Sequence, residues 1–136
     1  MSALSSNITD RMSQLLQAIA SPARLEILLA IGDGEVCVCH LEAISGYRQA
    51  YISQHLMALR DAGVIISRRH GRFVYYRLKD RTLLALLATA GTICGISPGE
   101  LDLVFPPDQV AGCACPQCVT NQAASPLQIE LPPSIA

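Results

Sequence analysis

The sequence predicts a mainly α-helical domain carrying one small β-hairpin, and three observations predict it. Apolar residues recur at helical spacing through the first half, two β-branched and aromatic runs flank a glycine turn in the middle, and capping or breaking residues separate short segments throughout. The 136 residues, 51% hydrophobic and 15% charged, suit one domain with a modest core and exclude a two-domain enzyme of ordinary size. No apolar stretch approaches the ~20 residues of a membrane helix, so no membrane partner is expected. Residues 1–10 lack a basic segment followed by an apolar one, which predicts a cytoplasmic chain with reduced cysteines. Six cysteines in that setting point to metal or redox chemistry rather than to a disulfide framework.

The elements follow in order. Thr9 can cap a first amphipathic helix whose Met12, Leu15, Leu16 and Ile19 keep the i, i+3, i+4, i+7 spacing. Ser21-Pro22 is a cap followed by a first-turn proline, and Leu25, Ile27, Leu28, Leu29 and Ile31 carry a second, more buried helix to Gly32. Asp33-Gly34 turns the chain, a short segment over 37–44 ends at Gly46, and Ile52, Leu56 and Leu59 mark a longer helix reaching Ala62-Gly63. Val64, Ile65 and Ile66, then Phe73 to Tyr76, flank a turn at His70-Gly71 and read as the hairpin. Asp80 can cap a last helix from residue 81 to about 93, whose Leu83, Leu84, Leu86 and Leu87 exceed a surface stripe. Such an apolar excess, together with the first helix, suits a dimer seam, with core within the domain as the plain alternative. Beyond Ser97-Pro98-Gly99 the recurrent prolines predict irregular structure, giving a domain over 1–96 and a Cys- and Pro-containing extension over 97–136.

The formal net charge is only -1, but its distribution is uneven. Between Ser45 and Arg81 eight Lys or Arg residues face two Asp, and no Lys or Arg follows Arg81. A basic centre of that kind attracts phosphate, although a solvated charged face is the plain alternative. Helices, a tight turn, a recognition-type helix, a basic hairpin and a closing helix together make the winged helix-turn-helix arrangement.

Several stretches sharpen that reading. Ala20-Ser21-Pro22-Ala23-Arg24-Leu25-Glu26-Ile27-Leu28, Glu35-Val36-Cys37-Val38-Cys39-His40-Leu41, Ile52-Ser53-Gln54-His55-Leu56, Leu59-Arg60-Asp61-Ala62-Gly63-Val64 and Arg69-His70-Gly71-Arg72-Phe73-Val74-Tyr75-Tyr76-Arg77-Leu78 closely resemble the ArsR/SmtB family of metal-sensing transcriptional repressors. The match spans about residues 9–94. The resemblance implies a homodimer that binds a palindromic operator when metal-free and lets go when a metal or metalloid binds.

The second helix of a helix-turn-helix enters the major groove, which places Gln49, Tyr51, Ser53, Gln54 and His55 near base edges. Each could equally be an exposed polar helix position. Arg68, Arg69 and Arg72 on the wing suit phosphate or minor-groove contacts, which position without specifying sequence. Family members often open this helix with a small capping residue and Gln-Pro, whereas Arg48-Gln49-Ala50 stands here, so the cap is weaker and Arg48 is a candidate phosphate contact.

Cys37 and Cys39 stand where the resemblance places the thiolates of arsenite, cadmium and lead sensors. In a regular helix residues i and i+2 lie ~200° apart, so the pair can chelate only where the backbone is extended or just entering the helix. The alternative is two small core side chains. Arsenite sensors of the family commonly carry a third Cys three residues on, where Glu42 stands here. Cys113, Cys115 and Cys118 supply three further thiols at C-x-C-x-x-C spacing, and the tail thiols either complete the first pair or bind a metalloid alone. Three sulfurs suit As(III) or Sb(III), while four suit Cd(II), Pb(II) or Zn(II). Cys94 reads as packing at the end of the last helix. The family's zinc and nickel or cobalt sensors use His and carboxylates on that helix, which here has none. His40 is a candidate fourth ligand or supporting group, with a polar surface position the commoner outcome.

The expected function is therefore a metal(loid)-responsive repressor that binds double-stranded operator DNA as a homodimer. It is released when As(III)/Sb(III) or Cd(II)/Pb(II) meets cysteine thiolates. A thiol redox sensor is the nearest rival, and a metal-sequestering protein leaves the basic wing unexplained. No nucleophilic or phosphate-loop constellation suggests an enzyme, and no organic cofactor is expected.

Overall fold

The computed structural model describes the backbone of residues 3–104 and the side chains of residues 7–102. Its order is α1 (Ala3–Ile19), α2 (Pro22–Ile31), β1 (Val36–Cys37), α3 (Val38–Ser45), α4 (Gln49–Asp61), β2 (Ile65–His70), β3 (Phe73–Leu78), α5 (Thr82–Ile93) and α6 (Pro98–Val104). This is the mainly α, hairpin-bearing winged helix-turn-helix that the periodicities predict.

Helix α1 begins at Ala3 rather than at Thr9. No Gly or Pro interrupts residues 3–8, and Ile8 extends the apolar series one turn back from Met12. Helix α2 starts at Pro22 after extended Ser21 and closes on Gly32, whose φ of 56° suits glycine. Its Ile27, Leu28 and Ile31 form the core with Leu41 of α3, Ile52, Leu56 and Leu59 of α4, and Leu83 and Leu87 of α5. Helices α3 and α4 are joined by three residues opening with Gly46 at φ 76°, the left-handed position that ends one helix and redirects the chain into the next.

The sheet has three antiparallel strands in the order β1-β3-β2. The expected hairpin is present, with His70 paired to Phe73, so its turn lies at Gly71-Arg72, one residue beyond the expected position. Gly71 has φ 63°, as the first central residue of a II′ hairpin turn requires. The third strand was not expected: Val36 pairs with Tyr76 and Cys37 with Tyr75.

Two expectations near the end of the domain are corrected. The stretch after Ser97 is helical over Pro98–Val104, because Ser97 and Glu100 form a capping box. The Ser97 amide donates to Glu100 Oε2 at 2.7 Å and the Glu100 amide donates to Ser97 Oγ at 3.3 Å. Cys94, expected to pack, is exposed. The chain turns there through Gly95 at φ 81°, and α6 folds back over Gly91, where an added Cβ would lie 3.6 Å from Leu101 Cδ1.

Among the described residues no single helix is long and apolar enough to cross a membrane.

Candidate nucleic-acid interface and thiol site

Helix α4 buries Ile52, Leu56 and Leu59 and thereby turns Gln49, Tyr51 and Gln54 outward, with Ser53 and His55 half-buried at the flanks. Arg48 is its N-cap in extended conformation and its side chain makes no capping hydrogen bond, as its chemistry predicts. The helix is braced on one side by an aromatic row at i, i+4, i+8. Tyr47 and Tyr51 rings lie 5.0 Å apart, and Tyr51 meets His55 edge-on at 4.6 Å. Helix α2 holds this row. Arg24 Nε donates to His55 Nδ1 at 3.1 Å while its Nη1 donates to the Ala18 carbonyl at 2.8 Å, tying the end of α1 to α4. Burial first and the Arg24 guanidinium second hold His55 below the ordinary histidine pKa. A hydrogen bond to Glu26 raises that of Tyr47.

On the wing, Arg69 and Arg72 are exposed near the turn. Arg68 is held instead. Its Nε and Nη2 donate to the two Glu35 carboxylate oxygens at 3.0 and 2.8 Å, and its guanidinium carbon lies 5.0 Å from the centre of the Tyr75 ring.

The first thiol pair sits where the wing sheet meets the helix-turn-helix. Cys37 ends β1 with φ -95° and ψ 170° and is the N-cap of α3, so the backbone is extended and just entering a helix, the condition under which residues two apart can share an ion. Cys37 is only 2% exposed and packs on Tyr75 in a small cluster that Ile44 and Phe73 cover, whereas Cys39 in the first helical turn is exposed. His40 is buried rather than a surface group, because the next turn of α3 faces the core, and burial lowers its pKa. Among the described residues no three His, Cys, Asp or Glu side chains converge on one point, so two thiolates suit a soft ion in kind but require further donors. Cys113, Cys115 and Cys118 lie outside the described residues. Helix α5 spans Thr82–Ile93 and has no His, Asp or Glu.

The residues that motif reading missed are Arg24, Glu26 and Glu35. Each acts through a partner distant in sequence, 31 residues for Arg24–His55 and 33 for Glu35–Arg68, and no local pattern marks such pairs.

Comparison with known proteins meets this geometry from outside. Residues 21–67 match the model of the bacterial regulatory protein arsR family. The chain is 34% identical over 87 residues to the transcriptional regulator NmtR of Mycobacterium tuberculosis, covering 64% of this chain and 72% of that protein. The chain belongs to the ArsR family. Two further members are the repressor SmtB of Mycobacterium tuberculosis, 39% identical over 83 residues (61% of this chain, 62% of that one), and the arsenical resistance operon repressor of Escherichia coli K12, 41% identical over 66 (48% and 56%). The match thus spans under two thirds of the length of these two ArsR-family relatives. Among solved structures of the family, the homodimeric winged helix-turn-helix domain of a possible ArsR-family regulator from Mycobacterium bovis superposes with TM-score 0.63 at 26% identity, covering 70% of this chain and 88% of that one. The ArsR-family relatives are transcriptional regulators, and the expectation that this chain is not an enzyme agrees with them.

Proposed function

We propose that this chain is a metal(loid)-responsive transcriptional repressor. In this reading it binds operator DNA as a homodimer through α4 and the wing and releases it when a thiophilic ion is held by cysteine thiolates. One observation carries the reading: Cys37 and Cys39 flank the junction of β1 and α3, where the wing sheet and the helix-turn-helix share backbone. An ion drawn onto both thiolates acts on both DNA-facing elements at once.

On the DNA side, Gln49, Tyr51, Ser53, Gln54 and His55 are the candidate major-groove residues, with Arg48, Arg68, Arg69 and Arg72 for phosphate or minor groove. The relatives' names, which include an arsenical resistance operon repressor, support a metal or metalloid inducer. The donor type supports As(III), Sb(III), Cd(II) or Pb(II) over ions that prefer oxygen and nitrogen. Cys113, Cys115 and Cys118, in the extension after the 1–96 domain, are the proposed additional donors. Thiols must lose their protons to bind, so inducer affinity weakens as pH is lowered.

The test is a titration of the reduced, full-length protein on a fluorescent fragment of its own promoter with As(III), Sb(III), Cd(II), Pb(II) and Zn(II). Near-stoichiometric release by at least one thiophilic ion is expected, and the Cys37→Ser, Cys39→Ser double variant should lose it. Preference for As(III) or Sb(III) supports a trithiolate site, and preference for Cd(II) or Pb(II) a site of four sulfurs. Release by none of the five, with peroxide releasing DNA reversibly by dithiothreitol, overturns metal sensing in favour of redox sensing.

A further inference from the structure

We propose that the thiol site is read out at the wing through Arg68, with Glu35 as the residue that positions it. The inference rests on the sensor function proposed above and names the route by which thiolate ligation reaches the DNA-binding surface.

Three side chains lie in one row across the sheet. Cys37 on β1 is directly opposite Tyr75 on β3, and Tyr75 is directly opposite Arg68 on β2. Directly opposed residues of an antiparallel pair project to the same face and touch. The contacts agree: Cys37 packs on Tyr75, and the Arg68 guanidinium lies over the Tyr75 ring at 5.0 Å. Glu35, two residues before Cys37, closes the row by gripping Arg68 with both carboxylate oxygens. Arg68 is thus held on one side by Glu35, which immediately precedes the strand that carries the thiol, and on the other by Tyr75 of β3, the residue against which the thiol packs.

The two thiols are unequally accessible. A thiophilic ion arriving from solvent meets Cys39 directly, but it reaches Cys37 only if the packing of that side chain on Tyr75 opens. Engaging both thiolates therefore loosens Cys37 from Tyr75, removes the surface on which Arg68 rests and shifts the strand end that carries Glu35. A guanidinium held by a bidentate fork and a ring face has one defined position, and losing either support releases it. The wing then no longer presents its cations to the duplex in a fixed register, which is where phosphate contacts act.

The test uses full-length reduced protein, Cd(II) and arsenite as probes, and the variants Glu35→Gln and Arg68→Lys. Arg68 is exposed and Glu35 half-buried outside the core, and each replacement keeps most of its side chain, so the fold is retained. In the wild type the ratio of operator affinities without and with Cd(II) should fall in the usual range of about 5- to 150-fold. Both variants should bind Cd(II) with wild-type stoichiometry, followed by thiolate charge-transfer absorption. Both should bind operator more weakly without the ion and should bring the ratio to within about threefold of unity. Independently of DNA, the Arg68 Nε–H resonance should move when Cd(II) or arsenite is added to the free wild-type protein. The inference is overturned if Glu35→Gln keeps the wild-type ratio, or if that resonance stays in place while the thiolates fill. A wild type that takes up the ions yet keeps its operator defeats the sensor reading itself, and this route with it.

Discussion

At the scale of single residues, the two histidines of the helix-turn-helix give the protein a defined acid sensitivity. Burial depresses the pKa of His40, and burial with the Arg24 guanidinium depresses that of His55. The folded state therefore disfavours their protonation, and between the ordinary value of 6.5 and the lowered folded values the unfolded chain binds more protons. Stability rises with pH wherever that holds. The contribution is complete above about 6.5, declines as pH falls below it, and stops changing once both states are protonated. Asp80, lowered from 3.8 by its hydrogen bond to Thr82, loses its contribution at more acid pH and does not overlap this window. A thermal melting series from about pH 7.5 to about 5.5 should show a falling midpoint, and the His40→Gln, His55→Gln double variant should flatten it. A wild-type midpoint constant across that range would remove this account. The glutamine at 55 still offers an acceptor to Arg24, so the comparison isolates charge from hydrogen bonding. This scale is also where the sequence was least legible. Cys37 and Cys39 could be found through the family resemblance of the surrounding stretch, with the β-branched Val36 and Val38 permitting the extended backbone the pair needs, but Arg24 and Glu35 act across 31 and 33 residues and carry no local mark.

At the scale of elements, helices with both a period and a cap could be read directly: α2, α4 and α5 lie within a residue or so of their expected bounds. Two elements could not, for different physical reasons. Strand β1 is two residues long and exists only because Tyr75 and Tyr76, far along the chain, pair with it. Helix α6 did have a local signal, since Ser97-Pro98 repeats the cap-then-proline signature of Ser21-Pro22 and Glu100 completes a capping box. Gly99 and the later prolines point away from a helix, but they do not remove the reciprocal hydrogen bonds. The capping box predicts its own test. Ser97→Ala should cost about 1 kcal/mol, the usual cost of losing an N-cap side chain. Because α6 is only seven residues and packs chiefly on α5, that loss should appear as faster amide exchange confined to residues 98–104 with little change in the global midpoint. Unchanged exchange in that segment would mean that packing on Gly91, not the cap, holds the helix.

At the scale of the whole molecule, the described protomer leaves apolar surface uncovered on the two helices whose sequences suit a dimer seam. On α1, Met12 is 59% exposed, and Ile8, Leu15 and Leu16 are exposed with it. On α5, Leu83 and Leu87 serve the core while Leu86 faces solvent, and Ile93 beyond it is 81% exposed. Met12 and Leu16 also line a shallow groove with Thr9, Ser13, Gln17 and Ala20. Exposed apolar residues on these two helices suit a partner surface, and the homodimeric relative from Mycobacterium bovis supports a second copy as that partner. Dimerisation then has a functional consequence that can be measured. Two recognition helices held at fixed separation engage two half-sites together, and joining two modules raises affinity by roughly 10²- to 10⁴-fold over either alone. Met12→Glu combined with Leu16→Glu places two carboxylates on the exposed α1 face, where an interface formed by that face would have to desolvate both. Sedimentation should then show a monomer whose far-ultraviolet dichroism matches the wild type, because both side chains face solvent in the protomer. Operator affinity should fall by about the same 10²- to 10⁴-fold, with the salt dependence reduced because fewer phosphates are contacted. A dimer that survives both glutamates would move the interface off α1 and leave the exposed residues of α5 to account for it. A monomer that still binds operator with full affinity would show instead that a single α4 and wing suffice.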